Sequence, residues 1–182
     1  MNRHERRKHL KVLAKQLDAT IASRPCGGCT ACCTALEVAE LKKPIGITCV
    51  MVGENGCKCY PDRPPSCRAY LCGWKLGHGS QESRPDLCGI LFSPVEGSSP
   101  VHPGAVVHEV WEEAFQDPAN RTLMQEIASG GLMLVLIRRG VPWRILVSED
   151  RAHRAKAIIE NFKELTEAGA LEPTQSAADP SR

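Results

Sequence analysis

Four of the ten cysteines in this chain fall within eight residues, as Cys26-Gly-Gly-Cys29-Thr-Ala-Cys32-Cys33. Thiols separated by two residues on a glycine-containing turn can be aimed at one point, which is the geometry that zinc sites and iron–sulfur clusters both require. The other six are Cys49, Cys57, Cys59, Cys67, Cys72 and Cys88. Around them, between Gly53 and Gly89, large aliphatic residues are scarce. That stretch cannot bury enough apolar surface to offset its chain entropy, so cross-links must hold it, either metal bonds or disulfides.

The N-terminus discriminates between the two. It reads MNRHERRKHLKVLAKQLDATIAS, with charges throughout, no uninterrupted apolar stretch and no cleavage signal, and no run in the chain approaches a membrane span. The expectation is therefore a cytoplasmic protein that has no membrane segment and whose thiols are reduced or metal-bound. Ionising eight thiols around two divalent ions would turn the formal charge of +2 slightly negative. Such a balance argues against a generic binder of nucleic acid or other polyanions.

The 182 residues suffice for one domain, or for a metal-stapled module joined to a small second module. The pattern predicts an α+β chain in four stretches. Residues 1–23 read as an amphipathic helix with Leu10, Leu13, Leu17 and Ile21 on the face that packs against the body. A basic helix of this kind also has the charge pattern of one that contacts RNA or a membrane surface. Residues 24–95 form the cysteine-rich module, with a short hairpin built from a strand over 47–52, a turn at Asn55-Gly56 and a strand ending near Tyr60. Cys57 and Cys59 then point to the same side. Residues 96–170 read as a helix–hairpin–helix unit: helices over 104–115 and from Asp117-Pro118 to Gly130 or Gly131, strands over 132–138 and 143–147, and a further helix from Ser148 to Gly169. Leu134, Leu136, Ile145 and Val147 are its expected core. Residues 171–182 read as a loose tail.

The octet is followed by Cys57-Lys-Cys59-Tyr60-Pro-Asp-Arg63-Pro64-Pro-Ser-Cys67-Arg68-Ala-Tyr70-Leu-Cys72. Together the two blocks resemble the bacterial CxxCxxCC family of the YkgJ type, described as a zinc- or iron-chelating domain, over roughly residues 24 to 75. The resemblance implies metal chelation and eight ligands: Cys26, Cys29, Cys32, Cys33, Cys49, Cys57, Cys67 and Cys72. It implies no particular reaction. Cys59 stands where the family has an apolar residue, and Cys88 lies beyond the motif, where a small buried hydrophobe is the simpler role.

The residues themselves leave the metal open. Structural zinc usually takes two short Cys-x2-Cys knuckles, and only one is present, whereas Cys-x2-Cys-x2-Cys with a remote fourth thiol is how a ferredoxin loop holds a four-iron cluster. Cys67, after the stiff Pro64-Pro65 approach, suits the remote position, and the balance tips slightly to iron–sulfur. Neighbouring side chains diverge, so one of Cys32 and Cys33 should serve a second site or stay a free thiol; Cys33 is assigned to the first site and Cys32 to the second, whereas a ferredoxin-like loop would take Cys32 for the first. Two four-thiolate sites would use all eight cysteines; a single cluster would leave thiols for redox work. Lys58, Arg63, Arg68 and Lys75 could offset thiolate charge, although Arg63 and Arg68 could equally pair with carboxylates such as Asp62. Trp74 and Tyr70 are expected to cover the site.

Among six histidines only His78 lies in the cysteine-rich stretch, and none has the helical spacing of a hydrolytic zinc site. Cys26-Gly-Gly-Cys29 lacks the preceding strand of a thioredoxin-like pair. The motif also resembles a segment of flagellin lysine methylases, but no methyl-donor motif is present. The expected function is thus metal binding, with the C-terminal part as scaffold or as the surface for a protein partner. The alternatives are an iron–sulfur enzyme of electron transfer or substrate activation, and a metal buffer or trafficking protein.

Overall fold

The computed structural model describes residues 2–94, 104–138 and 141–147. It is a mixed α and β chain that divides into two units, Met1–Cys88 and Gly89–Arg182.

The first unit opens with α1, Arg3–Ser23, which is held at its ends. The Asn2 side chain accepts from the amides of His4 and Glu5 while the Glu5 carboxylate accepts from the Asn2 amide, so two otherwise unsatisfied helix donors are paired reciprocally. At the other end the Lys75 ammonium donates to the carbonyls of Ile21 and Arg24. No residue of α1 is buried, and Leu10, Leu13 and Leu17 are 56%, 46% and 42% exposed. The expected packing of this face against the body is not what the chain does: polar contacts at the C-terminal end tether the helix, and among the described residues nothing covers its leucines.

Beyond α1 come α2 (Ala31–Ala35), a 3-10 turn at Ala39–Leu41, the two-residue strands β1 (Val52–Gly53) and β2 (Gly56–Cys57), α3 (Pro65–Ala69) and α4 (Pro85–Cys88). The hairpin is shorter than the sequence suggests. Its register is Val52↔Cys57 and Gly53↔Gly56, so Glu54 and Asn55 form the tip and residues 47–51 lie outside the ladder. A turn closes after β2, with the Tyr60 amide bonded to the Cys57 carbonyl at 3.2 Å and the Asp62 amide to the Cys59 carbonyl at 2.9 Å.

The second unit is a four-stranded sheet in the order β3 (Ile90–Pro94), β4 (Gly104–Glu109), β5 (Met133–Arg138), β6 (Val141–Leu146). The outer pairs are antiparallel and β4 and β5 are parallel, a pairing that needs the crossover made through α5, Pro118–Ser129. Residues 104–109 are therefore strand, not the first part of a helix over 104–115. Val106, Val107 and Val110 are β-branched, and residues 105, 107 and 108 bury against a sheet neighbour on each side. β3 belongs to this sheet, which puts the division between units at Cys88/Gly89 rather than near 95. α5 starts as the sequence indicates, with the Asp117 carboxylate accepting from the amides of Ala119 and Asn120 and Pro118 in the first turn. Ile90, Leu91, Val107 and Leu134 are fully enclosed, with Leu136 and Ile145 also buried and Val147 packed on Ile145. Gly89 has φ +79, and a Cβ there would come within 2.3 Å of the Trp111 ring, so only glycine fits under that indole. The expected turn at Arg139-Gly140, the helix over 148–169 and the tail over 171–182 lie outside the described residues.

Candidate metal centre

The octet folds because glycine permits its first turn. Gly27, at φ +54, adopts the left-handed conformation, and the Cys29 amide closes onto the Cys26 carbonyl at 2.9 Å. The chain then enters α2, which carries Cys32 and Cys33. Successive helical side chains point roughly 100° apart, and the two thiols accordingly stand in different surroundings although their side chains share a hydrogen bond. Cys32 faces the charges of Cys29 and Cys26. Cys33 faces Lys43 and Arg63.

Remote segments complete each neighbourhood. Cys72 interacts with Cys26 and receives hydrogen bonds from the backbone at Trp74 and Lys75. On the other side the Cys49 amide donates to the Cys33 carbonyl at 2.9 Å. Cys67 interacts with Cys33 and Cys49. Glu40 fixes Cys67 by accepting from the Ser66 amide at 3.0 Å and the Ser66 hydroxyl at 2.8 Å, at the start of α3. The Cys57 and Cys59 sulfurs are 3.6 Å apart, and Cys59 also feels Cys49. Cys32 thus neighbours Cys29 and Cys26, and Cys72 neighbours Cys26, while Cys67 neighbours Cys33 and Cys49 and Cys57 lies against Cys59. Cys32 rather than Cys33 lies beside Cys29 and Cys26, and Cys72 interacts with Cys26 where Cys67 interacts with Cys33 and Cys49. The reason is helical. Once α2 begins at Ala31, Cys32 stays beside the octet turn and Cys33 swings toward the segment around Cys49.

Among the described residues no three Cys, His, Asp or Glu side chains converge into a closed coordination cage. None of the ten cysteines is in a disulfide. The electrostatics favour neutral thiols. Burial pushes Cys29 up to about 11. Cys32 is raised further, first by its hydrogen bond with Cys33 and then by burial and the neighbouring sulfurs. Cys67 and Cys72 are raised chiefly by burial. Cys33 alone is lowered, by the bond from Cys32 and the cations Lys43 and Arg63. Thiols crowded in this way cannot ionise together without a cation among them.

Two residues invisible as site components in the sequence belong here. Lys43 is only 6% exposed; its ammonium donates to the carbonyls of Leu36 and Pro44 and lies within reach of Cys49, Cys33, Cys32 and Cys67. Burial holds it below the ordinary lysine value, and the sulfurs oppose that shift. Asp86, oriented by Arg84 through bonds of 2.6 and 2.9 Å, is hydrogen-bonded with Cys29. Lys43 sits before a proline in a nondescript loop, and Asp86 lies more than fifty residues from its thiol, so no local pattern marks either.

The cations named from sequence divide. Arg63 stacks over Tyr60 at 4.1 Å instead of pairing with Asp62, and its buried Nε has no hydrogen-bond partner. Arg68 is exposed. Lys75 caps α1 as well as bonding Cys72 through its backbone. Trp74 is buried, donating to the Ser80 carbonyl at 2.9 Å under the Arg24 guanidinium. His78 is exposed and contributes its carbonyl, not its ring, to an Arg24 bond. Cys88 donates to the Ser83 carbonyl at 3.4 Å.

A donor set made only of sulfur suits zinc, iron–sulfur or another soft ion. The unpartnered Arg63 N–H beside Cys33 is a donor that an anionic sulfur would satisfy. The donor chemistry is thus of the kind such a group takes, while among the described residues no three ligands converge on one point. No helix among the described residues is long and apolar enough to cross a membrane. No family model, curated protein or solved structure matches the chain.

Proposed function

We propose that this protein is a thiolate metal-binding protein of the cytoplasm, resembling the CxxCxxCC chelating domains, that holds metal in two sets. Cys26, Cys29, Cys32 and Cys72 would form one, and Cys33, Cys49, Cys57 and Cys67 the other. What supports the reading is the proximity of Cys32 to Cys29 and Cys26 and of Cys67 to Cys33 and Cys49, with a buried ammonium and an orphaned guanidinium N–H beside Cys33. The first set, a Cys-x2-Cys-x2-Cys turn with one distant thiol, favours an iron–sulfur cluster over zinc.

A cluster would supply one-electron transfer or an open iron; zinc would supply a cross-link. The chain's own part is to bind. Gly27 turns the octet, Glu40 and Pro64-Pro65 present Cys67, and Lys43 and Arg63 neutralise sulfur charge that burial would otherwise disfavour. The second unit serves as scaffold or as a surface for a protein partner.

Elemental and sulfide analysis of anaerobically purified full-length protein tests this directly. A brown preparation with iron and acid-labile sulfide is expected, with loss in Cys26→Ser or Cys72→Ser leaving the second set loaded. Zinc without sulfide would reassign the first set, and metal content unchanged by every cysteine substitution would end the proposal.

A further inference from the structure

Cys59 and Cys88 are the two thiols that the eight-cysteine scheme leaves over, and Cys59 stands against one of its members. Its sulfur is 3.6 Å from that of Cys57, close enough for side-chain rotation to bring the two into bonding range. In an extended strand these side chains would share a face but be further apart. Here β2 ends at Cys57 and the turn closed by the Tyr60 and Asp62 amides folds Cys59 back onto it. Both residues are partly exposed, unlike the buried Cys49 beside them. We propose that Cys57 and Cys59 are an oxidation site, a reversible disulfide whose formation withdraws Cys57 from the second metal set; this rests on the ligand reading given above.

The oxidant is a hydroperoxide. The Cys59 thiolate attacks one oxygen of hydrogen peroxide, the O–O bond breaks and hydroxide leaves, giving a sulfenic acid. The Cys57 sulfur then attacks that sulfur, and the S–O bond breaks as the second oxygen departs with two protons as water. Two thiols and one peroxide become one disulfide and two waters. Two electrons pass from sulfur to oxygen, and the metal ion keeps its valence while losing one thiolate. A dithiol reductant reverses the step by exchange.

Cys32 and Cys33 are the other close pair, but a disulfide between adjacent residues closes a ring through their own peptide bond, whereas the Cys57–Lys58–Cys59 turn already presents both sulfurs. Lys58 lies between the two, so trypsin separates them into peptides that only a disulfide holds together.

The test uses full-length protein, wild type, Cys59→Ser and Cys88→Ser, loaded anaerobically with zinc, treated with hydrogen peroxide, alkylated, digested and mapped by mass spectrometry while released zinc is followed with a chromogenic chelator. Wild type and Cys88→Ser should show the Cys57–Cys59 linked pair and lose the zinc of the second set, with both reversed by dithiothreitol. Cys59→Ser should start with the same zinc content and keep it longer. A disulfide joining Cys57 to any other cysteine, or zinc loss at the wild-type rate in Cys59→Ser, would overturn the proposal. Formation of the linked pair in protein that never took up zinc would instead refute the metal reading and leave the oxidation site standing.

Discussion

A lysine ammonium among sulfurs is costly to bury unless something answers its charge. Lys43 is held by two carbonyls and faces four thiols. Replacing it with Met keeps much of the volume but strips Leu36 and Pro44 of a donor, and should destabilise the first unit by about 1–3 kcal/mol. A urea midpoint matching wild type would contradict that role. In the second unit His108 is 6% exposed, paired in register with Leu91 and Ile137, and burial alone lowers it from 6.5 to about 4. The unfolded chain thus binds a proton more readily than the folded one. Stability from this residue is fully present above pH 6.5 and falls as pH drops toward 4, by about 3 kcal/mol in all. His108→Gln should flatten the acid limb of a stability–pH curve for this unit; an unchanged slope would show that another group sets it. At this scale the sequence marks the thiols, because their spacing is local, and misses Lys43 and Asp86, whose partners are brought in from other segments.

Elements follow local rules where those rules go unopposed. Asp117-Pro118 starts α5 as its chemistry requires, and the adjacent Val106 and Val107 of β4 make a strand that a helical reading of 104–115 overlooks, since a sheet neighbour on either side favours β-branched residues. Periodicity also identifies α1 correctly as a helix while saying nothing of whether its leucines find a partner. Because they do not, Leu13→Gln should change thermal stability by no more than about 0.5 kcal/mol, against the several kcal/mol of a core leucine. A large drop in the melting temperature would mean that the stripe is covered in solution. The Asn55-Gly56 turn signal is real but shifted by one residue, because Gly56 enters the ladder opposite Gly53.

For the whole molecule, the contrast between units is one of what holds them. The second has an apolar core from four strands and a helix; the first has Ala31, Ala35, Val38, Cys49 and Trp74 as its buried apolar residues and many thiols. Metal–thiolate bonds can contribute on the order of 10 kcal/mol to such a module, as much as a domain's net stability. Chelation under reducing conditions should therefore erase amide-exchange protection in residues 24–88 and leave that of 104–138 intact. Equal loss in both, or none in the first, would remove metal from the stability account. The parallel pairing of β4 with β5 also orders events at the ribosome. β3 and β4 emerge and can pair while β5 is still inside the tunnel, so Ile90, Leu91 and Val107 face solvent until residues 133–137 leave it, an interval of seconds at about 5–20 residues per second. The nascent chain thus passes through a stage with one completed thiol module and an open apolar sheet, and its yield should depend on how well a holding chaperone covers that window.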